Sequence, residues 1–374
     1  MLDETQSHIR DMSRRFSQEQ LAPFASEADR MGKWRMDPWP KIAKAGLSGI
    51  LIPEQYGGAG ADYVSFSQAI MEIAAADGAC STVVQVHNGL VCGGILRYGT
   101  EEQKQEFLIP LAKGIKLGCF CLTEPDAGSD AGALKTRARR EGEHYILTGS
   151  KQFITSGGSA DIAVVFAATD PSLGKKGISA FLINTDTSGY DVSRHEATMG
   201  QKASDHCQIT FNECRVPVSN LLGEEGAGYR IALSNLEGGR IGVASQAVGM
   251  AKSAYEKALE YAQERKAFGK PIFDHQAVGF RLAEMATDLF AAELMIWRAA
   301  TLRDQGKACL REASMAKLFS TEVAERVCTN AIQTLGGYGY LADYELERIY
   351  RDVRVCRIYE GTSDIQKLII MKEL

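Results

Sequence analysis

Apolar and polar positions alternate in three different ways along this chain. From the start to about residue 117, apolar residues recur at three- and four-residue spacing. Ser67-Gln68-Ala69-Ile70-Met71-Glu72-Ile73-Ala74-Ala75-Ala76 is one example, and the pattern predicts helices. Gly/Pro clusters such as Pro53-Glu54-Gln55-Tyr56-Gly57-Gly58-Ala59-Gly60 punctuate them. From 118 to about 228, short β-branched and aromatic runs replace that spacing: His144-Tyr145-Ile146-Leu147-Thr148, Ile162-Ala163-Val164-Val165-Phe166, Ala180-Phe181-Leu182-Ile183 and Cys207-Gln208-Ile209-Thr210-Phe211. Turn residues bound each run, which predicts a small antiparallel β domain. No helical crossover pattern separates the runs, so a doubly wound parallel sheet is not expected. From 229 to 374 the helical spacing returns in long segments, Ser253 to Arg265, His275 to Arg303 and Ala313 to Leu335, lengths that suit a four-helix bundle. The expected class is α+β, with domains at 1–117, 118–228 and 229–374.

Composition narrows the function classes. The 374 residues are 45% hydrophobic, enough for a large core, and the net charge of −5 is mild. Lys and Arg are spread along the chain, so no basic stripe points to nucleic acid or a membrane surface. No apolar run is expected to reach the roughly 18 residues that span a bilayer. Acidic residues near the start and the lack of an apolar core segment argue against a signal or transit peptide. Nine cysteines without a framework suit a reducing compartment, and cytoplasmic localisation is expected. Cys119 and Cys121, two apart on a predicted strand, share a face and read as core. The six histidines show no metal-ligand spacing, so no metal is expected.

Five segments carry candidate chemistry. Phe120 to Gly132 runs as a strand, breaks at Pro125, and continues as a Gly/Ala-rich loop. It reads as a plain turn or as a cradle for a polar ring edge or phosphate. Lys151-Gln152-Phe153-Ile154-Thr155 places an aromatic and a hydroxyl two apart, hence on one face, or simply packs its Phe in the core. Arg265, eleven residues before Gln276, suits a pyrophosphate or compensates a helix C-terminus. Gln333-Thr334-Leu335-Gly336-Gly337 is a helix stop that also permits close approach of a ligand. Arg357-Ile358-Tyr359-Glu360-Gly361-Thr362-Ser363-Asp364 sets one carboxylate before a glycine and a hydroxyl-rich helix start. That makes Glu360 either a solvated side chain or a general base beside a bound carbonyl.

Taken in order, these segments resemble the acyl-CoA dehydrogenase family over essentially the whole chain. Cys121-Leu122-Thr123-Glu124-Pro125-Asp126-Ala127-Gly128-Ser129-Asp130 and Gln333 through Asp352, continuing into Tyr359-Glu360-Gly361-Thr362-Ser363, are the specific patterns. Ile52 to Gly58 and Glu264 to Lys270 support them. The resemblance implies an N-terminal helical domain, a middle β-barrel or sandwich domain and a C-terminal four-helix bundle. It also implies FAD, a homotetramer built as a dimer of dimers, and an electron-transfer flavoprotein as oxidant. Phe120, Leu122 and Thr123 would lie along the isoalloxazine edge, with Phe153 and Thr155 flanking the ring and Ser129 toward the phosphates. Arg265, Phe268 and Gln276 would reach the dinucleotide from a neighbouring subunit. Gln333, Gly336 and Gly337 would meet the adenine half, and Thr362 and Asp364 the pyrophosphate and ribose. Asp364 departs from the amide of several relatives. Substrate contacts would come from Ser129, Glu237, Arg240, Tyr359 and Gly361, with Glu237 standing where relatives carry Asp or Asn.

The implied reaction is α,β-dehydrogenation of an acyl-CoA to the trans-2-enoyl-CoA. Glu360 would take the α-proton, flavin N5 would accept the β-hydride, and the Glu360 backbone N–H with a ribityl hydroxyl would bind the thioester oxygen. Some relatives place the base immediately before the arginine matching Arg240; here that position is Gly239, which leaves Glu360. Glu237 to Ala244 and Glu312 to Lys317 resemble short-chain and short-branched-chain members most, with Cys92, Leu96 and Tyr359 as pocket liners or, for the first two, helix core. Rival readings are an acyl-CoA oxidase, a desulfinase-like relative, a cyclic or aryl acyl-CoA dehydrogenase, and a non-catalytic acyl-CoA-binding protein.

Overall fold

The computed structural model describes residues 2–33 and 36–374. The first part is helical. Helix α1 (Glu4–Gln20) starts on Asp3, which accepts from the Gln6 N–H while the Gln6 side chain accepts from the Asp3 N–H. That reciprocal cap satisfies two otherwise free donors. Helices α2 (Ala22–Met31), α3 (Trp39–Lys44), α4 (Tyr63–Ala76), α5 (Gly78–Tyr98) and α6 (101–112) follow. Asp62 and Asp77 cap α4 and α5 with the side chain alone, accepting from the Ser65 and Cys80 N–H groups. α5 corrects the expectation of no membrane-length run. Its mean hydropathy of 1.3 over a bilayer-length window would suit a span, but 89% of that window is buried inside the protein, so it is a core helix. Val86–Cys92 within it is π-helical.

The sheet holds β1 (Gly118–Cys121), β2 (Arg137–Glu141), β3 (His144–Thr155), β4 (Ile162–Ala168), β5 (Ile178–Asn184), β6 (Tyr190–His195), β7 (His206–Pro217) and β8 (Leu221–Leu222). Their order is β6-β7-β3-β2-β4-β5-β8, with β1 beside β4. Most pairs are antiparallel, as expected. β1 departs from this: it runs parallel to β4, Gly118 opposite Ile162 through Cys121 opposite Val165. A parallel neighbour needs a long crossover, and the whole excursion through β2 and β3 provides it. Every residue of β4 is buried, which explains a continuous apolar run rather than alternation. Cys119 and Cys121 share a face, their sulfurs 3.7 Å apart in the core.

Three long helices form the last part: α7 (Gly228–Glu264), α8 (Gln276–Asp304) and α9 (Leu310–Leu335). The short α10 (Leu346–Val353) and α11 (Ser363–Lys372) pack on α9, and α4 and α5 lie against α7. α7 starts 25 residues before the helical periodicity read at Ser253. Its buried middle stretch carries Gly238, Gly239, Gly242 and Gly249, each costly in a helix interior. Packing explains them. A Cβ on Gly249 would stand 2.2 Å from the Met71 carbonyl oxygen of α4, and one on Gly242 would stand 2.6 Å from Gln85 of α5. The glycines let α4 and α5 press onto α7, and the Glu360 carboxylate meets Gln85 of α5 and Gly239 of α7 along that contact.

Candidate active site

Glu360 sits in the turn between α10 and α11 with φ +51°, followed by Gly361 at +93°. A left-handed non-glycine residue costs about 1–3 kcal/mol and persists only where its surroundings hold it. Three carbonyls of this turn are held from inside. Lys317 Nζ on α9 donates to the Cys356 and Gly361 carbonyls at 3.0 and 2.8 Å. Gln366 Nε2 on α11 donates to the Gly361 and Glu360 carbonyls at 2.8 and 3.3 Å. Thr362 caps α11, its hydroxyl accepting from the Ile365 N–H.

The Glu360 carboxylate is buried although its backbone is partly open. Oε1 accepts from Gln85 Nε2 on α5 at 2.9 Å, and Oε2 has no protein partner among the described residues. Burial pushes its pKa up to about 7, while the Gln85 hydrogen bond and the Lys317 and Arg240 charges offset only part of that. A carboxylate so poised is a competent base near neutrality. Gly239 on α7 makes room for it, because a Cβ there would stand 1.9 Å from Oε2. The next residue, Arg240, is 4% exposed, and its Nε and one terminal nitrogen lack partners among the described residues. Burial disfavours its charge, and Glu360 and Glu237 favour it. Glu237 is paired: it accepts from Arg303 at 3.2 Å and from the Cys309 thiol at 3.2 Å.

Tyr359 donates its hydroxyl to Gln246 and lies 3.4 Å from the Cys356 sulfur, so only its ring is left to line a pocket. Cys92 belongs to the helix core, its sulfur 3.6 Å from His87 Nε2. Leu96 packs half-buried on the same cluster.

The candidate cofactor residues fall into two groups. Phe120 and Leu122 are buried at the end of β1, Phe120 against Phe166 with ring centres 4.9 Å apart. Thr123 follows half-buried, its carbonyl accepting from the Gln152 N–H at 2.8 Å. This loop is pinned by a buried ion pair, Lys151 Nζ to Glu124 Oε1 at 2.7 Å. Glu124 also accepts from the Lys135 and Thr136 N–H groups. Phe153 and Thr155 do not share a regular strand face. β3 shifts register between Lys151 and Ile154, Phe153 adopts φ +59°, and its ring is 64% exposed while Thr155 is buried. The core-packed alternative for Phe153 is thereby overturned, since a bulge re-aims the side chain outward. Ser129 is exposed on the loop before β2.

The second group lies past the end of α7. Arg265, Gly336 and Gly337 line a recess of about 390 Å³ with Thr334 and Tyr338, and the Arg265 guanidinium stands 5.9 Å from the Tyr338 ring centre. Phe268, 97% exposed at φ +51°, tips the hairpin Lys266–Ala267 and Lys270–Pro271. Gln276 starts α8, and Gln333 lies exposed near the end of α9. Asp364 is exposed beside Lys367 at 3.6 Å. Among the described residues His195, Asp205 and Cys207 bring metal-donor atoms within 4.8 Å, a grouping the spacing did not show. They hydrogen-bond to one another, and Asp205 also accepts from Ser159.

Gln85, Lys317, Gln366 and the Lys151–Glu124 pair were not among the residues expected to serve the site. A signal exists for Lys317: a lone cation among small residues at helical spacing, Ala313, Ala316, Ser320 and Ala324.

The chain thus combines a helical–sheet–helical fold with a buried, partly unpartnered carboxylate on a clamped turn. Three family descriptions match it in order: acyl-CoA dehydrogenase N-terminal domain at residues 3–115, middle domain at 119–214 and C-terminal domain at 226–374. The mouse mitochondrial short-chain specific acyl-CoA dehydrogenase is 43% identical over 373 residues, covering 100% of this chain and 90% of that protein. Butyryl-CoA dehydrogenase from Megasphaera elsdenii superposes with a TM-score of 0.98 at 39% identity, covering 100% and 98%. A chain from the work on the electron transferring flavoprotein of Acidaminococcus fermentans gives 0.99 at 43%, also covering 100% and 98%. This chain belongs to the acyl-CoA dehydrogenase family, and it is an oxidoreductase.

Proposed function

We propose that the chain catalyses α,β-dehydrogenation of a short or short-branched acyl-CoA, with Glu360 as the base that removes the α-proton. One observation carries the reading: a buried carboxylate whose pKa is raised to about 7, with Oε2 left without a protein partner beside the side-chain-free Gly239. Oε2 is the atom that takes the proton. Gln85 orients the carboxylate through Oε1, and the Glu360 N–H binds the thioester oxygen as enolate charge develops. Arg240, buried beside Glu360, favours the ionised form of that carboxylate. The names of the mouse and Megasphaera relatives support a short acyl group.

FAD fits the residues present: Gly336 and Gly337 have nothing within 4 Å of a Cβ position, and Phe153 is turned outward by its left-handed backbone. Phe120, Leu122, Thr123, Phe153 and Thr155 would hold the ring, and Arg265, Phe268, Gln276, Gln333, Gly336 and Gly337 the dinucleotide. Thr362 would approach through its backbone, since its hydroxyl caps α11, and Asp364 would do so only toward a ribose. FAD, when bound, supplies the hydride acceptor. Electron-transfer flavoprotein as partner draws support from the Acidaminococcus structure. A homotetramer draws support from the exposed apolar face of α8, and a cytoplasmic, reducing setting from nine free cysteines.

The test is anaerobic titration of the purified protein with an acyl-CoA series while following flavin absorbance. Bleaching should be greatest for four- or five-carbon acyl groups, and Glu360→Gln should retain FAD but not bleach. Near wild-type bleaching in that variant would refute the assignment.

A further inference from the structure

Lys317 stands out among charged side chains. It is fully buried on α9, yet no carboxylate of the described residues comes within ion-pair range of its Nζ. An unpaired ammonium inside a protein is costly, and an apolar side chain of the same length would be cheaper there. What Nζ meets instead are two main-chain carbonyls, Cys356 O at 3.0 Å and Gly361 O at 2.8 Å. These flank the four residues Arg357 to Glu360, so one ammonium ties together both ends of the turn that carries the carboxylate.

We propose that Lys317 is a positioning residue for proton abstraction: its ammonium clamps the Cys356 and Gly361 carbonyls, fixes the left-handed Glu360, and places a positive charge behind its carboxylate. The inference rests on Glu360 being the base. Carbonyls directed at Lys317 and Gln366 hold the turn from inside and leave the Glu360 carboxylate aimed at Gly239 and Gln85. The groups facing Glu360 are few. Gln85 from α5 is neutral, Gly239 from α7 has no side chain, and Arg240 from α7 and Lys317 from α9 are cationic. Lys317 itself faces Glu360, Arg240 and the Cys356 thiol, and burial lowers its own pKa to about 8. Both cations favour the ionised base; Lys317 alone also holds its backbone.

Three variants of the full-length FAD-bound protein test this: Lys317→Met removes clamp and charge, Lys317→Gln keeps one donor without charge, and Lys317→Arg keeps the charge. The readout is the rate of anaerobic flavin reduction by saturating butyryl-CoA across pH 5.5–9, with Glu360→Gln alongside. The Met variant should reduce its flavin about 10- to 100-fold more slowly, with the pH midpoint of the rate moved up by roughly one unit. The Gln variant should recover part of the rate but keep the raised midpoint, and the Arg variant should restore the midpoint. Substrate affinity should change little. A Met or Gln variant with wild-type rate and midpoint would overturn the proposal, provided that Glu360→Gln is inactive. If Glu360→Gln stays active, it is the base assignment that fails. Loss of FAD in all three Lys317 variants would also overturn it, marking a residue the fold requires rather than one that sets the base.

Discussion

At the scale of single residues, the site turns on how little space and how few partners surround one carboxylate. Gly239 is the sharpest case. A Cβ there would stand 1.9 Å from Glu360 Oε2, and Ala would displace the carboxylate by about an ångström. Gly239→Ala should fold and bind FAD, yet reduce its flavin on the order of 100-fold more slowly, which rapid-mixing absorbance would show. Glu360 also carries a stability cost. Its folded pKa is raised to about 7, above the ordinary Glu range. Between those values the unfolded chain ionises and the folded one does not, so wild-type stability falls as pH rises from the ordinary Glu range to about 7 and levels off above it. Glu360→Gln should therefore match the wild type below pH 4 and exceed it by on the order of 3 kcal/mol at pH 8.5, measured by urea unfolding. Glu360 is readable from the sequence as a candidate base only because the motif around it is distinctive. Gln85, 275 positions away, is not readable, since nothing local to an uncharged side chain on an apolar helix shows what it faces.

At the scale of elements, periodicity locates segments well where one face is wet and poorly where none is. α8 and the C-terminal half of α7 alternate enough to be read directly. The stretch of α7 from Gly238 through Ala251 is buried all round, so its amphipathic signal vanishes and periodicity alone locates only the segment from Ser253 on. β1 presents the same difficulty: four buried residues show no alternation, and nothing local distinguishes a parallel from an antiparallel neighbour. The bulge that turns Phe153 outward is equally hidden, because strict alternation assumes an unbroken register. Close packing on α7 has a measurable consequence. Gly→Ala in a helix interior ordinarily stabilises by about 0.5–1 kcal/mol. At Gly249 the new Cβ would meet the Met71 carbonyl oxygen and carbon at 2.2 and 2.8 Å, both backbone atoms that cannot rotate away. The sign should reverse, with Gly249→Ala losing about 1–3 kcal/mol in urea unfolding, while Gly306→Ala is no control because its φ is +66°.

At the scale of the whole molecule, a large apolar surface is left open on the bundle. Phe280, Phe290, Leu294 and Trp297 lie within about a third of the circumference of α8, and they are 63%, 64%, 49% and 37% exposed. Phe268 on the hairpin and Tyr340 in the segment after α9 are exposed as well, at 97% and 84%. Monomeric soluble proteins rarely leave so many large aromatic side chains in water, and a second copy of the same chain is the partner every molecule has to hand. The recess of Arg265, Gly336 and Gly337 is lined beside the hairpin and the segment after α9 that carry Phe268 and Tyr340, so association through these elements would also serve cofactor retention. The two properties should then fail together. Replacing Phe280 and Phe290 by Glu would set four charges into a two-fold symmetric contact on this face and leaves the buried core of α8 untouched. Light scattering should show a shift to a smaller species, and the variant should elute with FAD content reduced at least about 10-fold, while circular dichroism stays helical. A smaller species that keeps its full complement of FAD would separate the two roles and leave the recess within a single chain.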